Sequence, residues 1–258
     1  MNARNLLIYL SLLYKGDWDC IYAHLCDKEK KLDPIKVESV ADTLKCGVIT
    51  MVDEDYPVHL KRAFKPPFVL YYYGDISLIK ELTNHLGVVG ARNVPEYGAE
   101  MTNKIVSGLA SKLVIVSGLA AGVDGLAHKA CIENGGKTVA VLGSGIDVCF
   151  PSDNLELYNE IKKNHLLLSE YPGKCAPVAY RFPKRNRIVA ALSQNLLIPY
   201  AREKSGSSIT AGLVLDIGGD VFCVPTRVGE NSLCNQLIKE GGILVESAED
   251  VLNELRLY

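Results

Sequence analysis

Short, wholly apolar segments alternate with segments of helical periodicity through most of this sequence, and that alternation restricts its fold more than any other feature. The apolar segments predict strands near 86–89, 113–116, 138–142, 166–168, 196–198, 221–224 and 243–245. The intervening segments predict helices near 97–110, 122–134, 154–164, 185–193, 208–217, 232–240 and 248–255. Strands that are apolar throughout are buried on both faces, as in parallel sheets covered by helices. The pattern therefore predicts an α/β fold with a doubly wound, mostly parallel sheet and helices on both faces.

The N-terminal segment has a different pattern. Leucines and a tyrosine recur at helical spacing over residues 6–14, and two more short helices are predicted on either side of an Asp-Pro pair at 33–34. Two strands are predicted beyond it, at 48–52 and 68–73. We therefore expect a small α-helical domain at 1–46 and a larger α/β domain at 47–258.

Composition excludes several classes of protein. The chain has 258 residues, 48% of them hydrophobic, and a net charge of −2, which excludes a disordered chain and a uniformly basic nucleic-acid or membrane binder. No segment approaches the roughly 18 apolar residues of a membrane span, so we expect a cytoplasmic protein. Eight cysteines form no Cys-x-x-Cys pair and the five histidines lack ligand spacing, which indicates free thiols in a reducing compartment and no metal site.

Small, glycine-containing segments follow the predicted strands. They lie at 90–93, 117–124 and 143–147, and a fourth, at 205–211, opens a helix. Ligands of open parallel sheets bind outside the carboxyl ends of the strands. Glycine lets a backbone approach a ligand closely, and a helix N-terminus presents free N–H groups to an anion. We therefore expect these four turns to form an anion-binding edge.

Positive charge is concentrated in one stretch of this acidic protein. Residues 174–206 carry seven basic side chains and a single acid, Glu203. Arginine and lysine hold phosphates, asparagine bonds base edges, and phenylalanine stacks on exposed bases. The segment 181–187, which combines all of these near a predicted helix start, therefore indicates a defined anionic ligand.

Motifs of better-known catalytic sites are incomplete here. Gly136-Lys137-Thr138 leads into a strand rather than a helix, so it is not a phosphate-binding P-loop. The segment at 143–147 lacks the third glycine of a dinucleotide fingerprint, which disfavours a nicotinamide enzyme. Asp124 and His128 lie four residues apart on one helix face, where they form either an acid–base pair or a helix cap beside a packed histidine. We predict no catalytic residues, no metal and no cofactor.

In order along the chain, these segments resemble the DprA/Smf family of DNA-processing proteins. The resemblance covers about residues 47–255. It rests on DEDYP at 53–57, PP at 66–67, VGAR at 89–92, SGLAAGVD at 117–124 with AH at 127–128, VLGSGID at 141–147 with a proline at 151, FPKRNRI at 182–188, SGSSITA at 205–211 and NQLI at 235–238.

This resemblance implies an extended Rossmann-like domain that binds single-stranded DNA and forms homodimers. It also implies a partner, RecA, which such proteins load onto the incoming single strands that they protect during natural transformation. The resemblance implies twelve DNA-binding residues. Those that would hold phosphates are Arg92, Lys184, Arg185 and Arg187, and those that would supply N–H groups are Ser117, Gly118, Gly143, Ser144 and Gly145. Phe182 and Asn186 would meet a base, and Ser207, at the start of a predicted helix, is the twelfth DNA-binding residue.

Other readings stay open. The turns are also similar to those of nucleotide phosphoribohydrolases and small-nucleotide sensors of the same wider superfamily, although the catalytic glutamate of those enzymes has no counterpart. A third reading is a dimerisation scaffold that uses the apolar region 221–245. The sequence departs from the family pattern at Pro199-Tyr200, at Thr226 and at Leu233.

Overall fold

The computed structural model describes residues 2–27, 29, 32–81 and 84–256. Within those ranges the strands form one nine-stranded sheet with the order β1-β2-β6-β5-β4-β3-β7-β8-β9. The strands are β1 (Gly47–Thr50), β2 (Val69–Gly74), β3 (His85–Val88), β4 (Val114–Ser117), β5 (Thr138–Gly145), β6 (Leu166–Tyr171), β7 (Asn195–Ile198), β8 (Val221–Cys223) and β9 (Ile243–Leu244).

Helices connect these strands. They are α1 (Ala3–Leu13), α2 (Trp18–Cys26), α3 (Pro34–Glu38), α4 (Val58–Arg62), α5 (Glu96–Leu109), α6 (Val123–Glu133), α7 (Leu155–Asn164), α8 (Arg181–Ser193), α9 (Ser207–Asp216), α10 (Leu233–Lys239) and α11 (Ala248–Glu254). None of the helices in the described ranges is both long and apolar enough to cross a membrane.

The sheet is mostly parallel. All neighbouring pairs from β6 to β9 in the sheet order run parallel, whereas β2 pairs antiparallel with both β1 and β6. Leu86 of β3 pairs with Ile115 on one side and with Asn195 on the other, which fixes the register at the sheet centre. The carboxyl ends of β4, β3 and β7 therefore meet at one edge, where the functional candidates follow.

Apolar side chains cover both faces of the sheet. On one face α8, α9 and α10 pack against alternate strand residues, including Val116, Val141 and Ile198. On the other, α5, α6 and α11 pack against the intervening residues, such as Leu86 and Ile115. This double coverage explains why the strands are apolar throughout, and it confirms the predicted α/β fold with helices on both faces.

The N-terminal helices begin where the sequence supplies caps. The side chains of Asn2, Asp17 and Asp33 accept backbone N–H groups at the starts of α1, α2 and α3. Leu7 and Leu10 of α1 and Ile21 of α2 pack in one cluster with strand residues of β2, β5 and β6. The N-terminal helices thus share their core with the sheet.

Two element boundaries differ from the prediction in ways that affect the site. Gly143, Ser144 and Gly145, expected as a turn, are the last residues of β5, because Gly145 pairs with Tyr171 of β6 beyond a register shift. Helix α8 begins at Arg181 rather than at 185. Pro183 then lies in its first turn, where a missing N–H costs no helical hydrogen bond.

Candidate nucleic-acid interface

One pocket at the carboxyl edge of the sheet gathers most of the predicted site. It has a volume of about 370 Å³. It is lined by Gly90, Ala91 and Arg92 after β3, by Ala120 and Asp124 after β4, by Phe182, Pro183, Arg185 and Asn186 of α8, and by Ser205, Gly206, Ser207 and Thr210 at the start of α9, with Val89 and Ala179. Three of the glycine-containing segments and the basic segment therefore lie on the same side of the molecule. We call this space the edge pocket.

An arginine and an aromatic ring form its outer wall. The guanidinium carbon of Arg92 lies 5.4 Å from the centre of the Phe182 ring, and the side chain of Arg92 is exposed. The ring of Phe182 is half-buried and packs against Phe150 at 5.5 Å. A Cβ on Gly143 would overlap that ring, so the absence of a side chain there sets the position of Phe182. The wall thus offers an exposed cation beside a packed aromatic face.

Arg185 forms the floor of the edge pocket. Its side chain is buried and its Nη1 donates to the carbonyl of Val141. The guanidinium lies over Gly118, where any Cβ would collide with it. Burial lowers the pKa of Arg185, and the nearby carboxylate of Asp124 opposes that shift. The glycine at 118 therefore makes room for a buried cation rather than pointing its own N–H at a ligand.

Asp124 balances that cation. Burial raises the pKa of its carboxyl group, while the charge of Arg185 and the N–H groups of Ala120 and Gly118 oppose the rise. His128 is fully buried on the same helix, with its Nδ1 2.6 Å from Oγ1 of Thr138. Burial lowers the pKa of His128 to about 3. Such a histidine stays neutral near pH 7, which favours the packed-histidine reading over an acid–base pair.

The start of α9 presents polar groups that the protein does not use. Gly206 occupies the N-cap position without a side-chain cap, and Ser205, Gly206 and Ser207 line the edge pocket. Of the first N–H groups of α9, that of Ser208 donates to the carbonyl of Ser205 at 3.2 Å, and the others lack a side-chain cap. Ser205 Oγ, Thr210 Oγ1 and Arg185 Nε are buried and find no hydrogen-bond partner within the described part of the chain. Buried polar atoms are nearly always paired in native proteins, so three unpaired ones around one pocket indicate a polar ligand.

Ser117 and Ser144 do not reach the edge pocket. The hydroxyl of Ser117 donates to the carbonyl of Val88 at 2.6 Å, and that of Ser144 donates to Val148 at 2.8 Å. The N–H of Gly145 donates to the carbonyl of Cys175 at 2.8 Å. The two hydroxyls and the N–H of Gly145 are engaged inside the protein, and none of the three residues lines the edge pocket, so the expectation that they supply N–H groups to a ligand there does not fit this arrangement. They hold the strand ends that carry the pocket.

Arg187 lies outside the edge pocket as well. Its Nη2 is 2.6 Å from Oε1 of Glu170, and both side chains are almost fully buried. Its Nε donates to the carbonyl of Lys65 at 2.9 Å and its Nη1 to that of Lys184 at 2.9 Å. Burial raises the pKa of Glu170 and Arg187 opposes the rise. With all three nitrogens bound inside the protein, Arg187 ties α8 to β6 and is not placed to hold a phosphate.

Lys184 is exposed but turned toward the N-terminal helices. Its Nζ lies 3.7 Å from Asp17 and 3.5 Å from Asp19. Lys65 pairs with Asp19 as well. These side chains are partly exposed, so each pair is weak. Lys184 can therefore exchange its carboxylate partners for another anion.

The sequence predicted an anion-binding turn at 205–211 and, as a single DNA-binding residue within it, Ser207. The structure adds Ser205, Gly206 and Thr210 to the pocket, together with Ala91 and Asp124. The glycine-serine composition of 205–211 was the signal for that segment. No pattern in the sequence marks which hydroxyl of the segment lacks a partner, because that depends on the packing of α9 against α8.

Comparison with known proteins identifies the family. The model for the family described as DNA recombination-mediator protein A matches residues 47–256. The chain is 42% identical over 208 residues to DNA processing protein DprA of Streptococcus pneumoniae, covering 80% of this chain and 73% of that protein.

Two solved structures are similar. The X-ray structure of DprA from Streptococcus pneumoniae superposes with a TM-score of 0.80 at 34% identity, covering 97% of this chain and 93% of that one. A structure of DNA processing protein A from Helicobacter pylori gives a TM-score of 0.74 at 30% identity, covering 82% and 97%. The match confirms the Rossmann-like fold that the resemblance implied. The chain therefore belongs to the family of DNA recombination-mediator protein A, the DprA/Smf DNA-processing proteins.

Proposed function

We propose that this protein binds single-stranded DNA in the edge pocket. The observation that carries the proposal is the convergence of Arg92, Phe182, Asn186 and the uncapped start of α9 on one small cavity. The Helicobacter pylori relative was solved to describe its single-stranded DNA binding mode. A duplex presents its bases in a stack that cannot enter such a cavity, whereas an unpaired strand can place one base at a time.

Each residue of the pocket has a role in the proposal. Arg92, exposed at the outer wall, holds a phosphate, and the N–H groups at the start of α9, with Ser207, hold a second one. Phe182 stacks on a base while Asn186 bonds its edge. Arg185 gives the floor its positive charge through its free Nε. Lys184 joins the contacts once a phosphate displaces its aspartates.

Binding should depend on these groups in solution. A fluorescein-labelled oligo-dT is titrated with the protein and the anisotropy is recorded at several salt concentrations. We expect binding that weakens steeply with salt, and Arg92→Ala to weaken it at least tenfold with a smaller salt dependence. Lys112→Ala, before β4 at the opposite edge of the sheet, serves as the control and should bind as the native protein does. Equal binding by Arg92→Ala would contradict the site.

We also propose that the protein binds nucleotides without cleaving them. The only carboxylate among the described pocket residues is Asp124, and it is buried, held by two N–H groups and close to Arg185. A phosphoribohydrolase needs a carboxylate free to act on the sugar. Incubation with nucleoside monophosphates followed by chromatography should show no free base, and release of base would favour the enzyme reading instead.

Partners form the last part of the proposal. We propose that the protein works as a homodimer that protects incoming single strands and loads RecA onto them during natural transformation. Family membership supports this role. Leu244 lies on the terminal strand β9 with 49% of its side chain exposed, and Leu215 and Ile217 are exposed at the end of α9. Light scattering should give a dimer mass, and Leu244→Asp should give a monomer.

A further inference from the structure

A second pocket lies beside the first, on the same edge of the sheet. It is lined by Pro95, Tyr97, Tyr200, Arg202, Pro225, Thr226, Arg227, Glu230 and Asn231 and has a volume of about 800 Å³. Its walls follow the carboxyl ends of β7 and β8, which are neighbours in the sheet. We call it the β8 pocket. Nothing in the family resemblance assigns it a ligand.

The two pockets share a wall. The segment after β7 contributes Tyr200 and Arg202 to the β8 pocket and Ser205 onward to the edge pocket. The N–H of Ala91, which lines the edge pocket, donates to the carbonyl of Tyr200 at 2.9 Å. A chain leaving the edge pocket toward β8 along the sheet edge therefore passes directly over this wall into the β8 pocket.

The side chains of the β8 pocket suit a nucleic acid strand. Arg202 and Arg227 are exposed and make no ion pair with any residue in the described ranges. Tyr97 is 43% exposed, and its hydroxyl donates to the carbonyl of Pro225 at 2.8 Å, which holds the ring across the pocket. Two guanidinium groups bind phosphates in fork geometry and a fixed aromatic face stacks on a base. Glu230 is the one acid in the lining.

Hydrogen bonds within the protein fix the walls of the β8 pocket. The side chain of Asn235 makes three hydrogen bonds with Thr226. Its Oδ1 accepts the N–H of Thr226 at 3.0 Å, and its Nδ2 donates to the carbonyl at 3.0 Å and to the hydroxyl at 3.1 Å. The N–H of Glu203 donates to Asn231, and that of Leu233 to Ala201. These bonds tie the segment after β7 to the segment after β8. A preformed pocket loses less conformational freedom on binding.

Two departures from the family pattern fall in this pocket. Tyr200 and Thr226 stand where the family resemblance leads us to expect other residues, and both line the β8 pocket.

We propose that the β8 pocket is a second subsite for the same single strand, in which Arg202 and Arg227 hold phosphates and Tyr97 stacks on a base. This inference rests on the proposed function, because it extends the path of the strand that occupies the edge pocket. It makes binding depend on length: an oligonucleotide that fills only the edge pocket does not use the two arginines, and a longer one does.

The test measures affinity against length. Labelled oligo-dT of 4, 8, 12 and 20 nucleotides is titrated with the native protein, with Arg202→Ala plus Arg227→Ala, and with Lys112→Ala plus Lys239→Ala. The last variant removes two positive charges near the amino ends of β4 and β9, at the opposite edge. We expect the arginine variant to bind the tetramer within twofold of the native protein and the 12-mer and 20-mer at least tenfold more weakly.

Salt dependence gives a second readout. Losing two phosphate contacts should reduce the magnitude of the slope of log K against log salt by about 1.4 for the 20-mer. Tyr97→Ala should weaken the 12-mer and not the tetramer. Native binding of the 20-mer by the arginine variant overturns the second subsite, and so does an equal loss at every length. Failure of the proposed function looks different, because Arg92→Ala would then bind the tetramer as the native protein does.

Discussion

Replacing Arg187 separates a structural role of this side chain from a role in holding DNA. Its side chain is 8% exposed, and its Nη2 lies 2.6 Å from Oε1 of Glu170, whose side chain is 7% exposed. Arg187→Met removes the cation and leaves the carboxylate of Glu170 buried without its partner. Removing one member of a buried ion pair costs about 3–5 kcal/mol. We therefore expect the free energy of unfolding, measured by urea denaturation at neutral pH, to fall by about that amount.

The loss of unfolding free energy in Arg187→Met should depend on pH. Burial raises the pKa of Glu170, and the charge of Arg187 opposes the rise. Without Arg187 the folded-state pKa rises further above the unfolded value. Stability contributed by a raised pKa is present at low pH and is lost as the pH rises through the folded value. The deficit of Arg187→Met should therefore be largest at neutral pH and shrink as the solution is acidified.

A double variant completes the test. Arg187→Met with Glu170→Leu removes both charges, and apolar replacement of a buried ion pair is often neutral or stabilising. This variant should recover most of the lost stability. Because Arg187 lies outside the edge pocket, it should also bind oligo-dT within about threefold of the native protein. A folded double variant that binds tenfold more weakly would refute the structural role, as would a single variant as stable as the native protein.

Three further outcomes are expected. The double variant Asp17→Asn plus Asp19→Asn releases Lys184 and should raise the affinity for oligo-dT about two- to fivefold at low salt. The gain should disappear at high salt. Unchanged affinity at low salt would show that the aspartates do not compete with DNA. Gly118→Ala places a methyl group in the buried guanidinium below the edge pocket, so anisotropy should show at least tenfold weaker DNA binding. The free energy of unfolding should fall on acidification from pH 6.5 to about 3, partly because His128 is neutral in the folded protein and charged in the unfolded one. His128→Gln should remove that part of the fall. Identical pH profiles of the variant and the native protein would contradict this.

The fold could be predicted from the sequence because its strands are buried on both faces. Apolar segments such as 138–142 and 166–168 have no polar side to face water, and such strands are typical of a sheet that has helices on both faces. The antiparallel pairing of β2 with β6 could not be predicted in the same way. A strand's direction in the sheet depends on its connections, and periodicity carries no information about them.

The sequence predicted which residues belong to the candidate site better than it predicted where their side chains lie. Arg92 follows β3, whereas Phe182 and Asn186 lie on α8, which connects β6 to β7. They meet in one pocket because α8 packs across β5, β4 and β3, the strands that lie between β6 and β7 in the sheet. Arg187 could not be separated from Arg185 by sequence, since only the tertiary structure brings Glu170, 17 residues away, against one of them. Gly143 and Gly118 were expected to offer N–H groups, whereas they make room for the side chains of α8.

A crystal structure of the complex with a dT hexamer tests the central claim most directly, because it locates the strand on the protein. We expect a phosphate on Arg92, another at the N–H groups that open α9, and a base on the face of Phe182. A hexamer bound along the opposite edge of the sheet, near Lys112, with the edge pocket unchanged, would contradict the account.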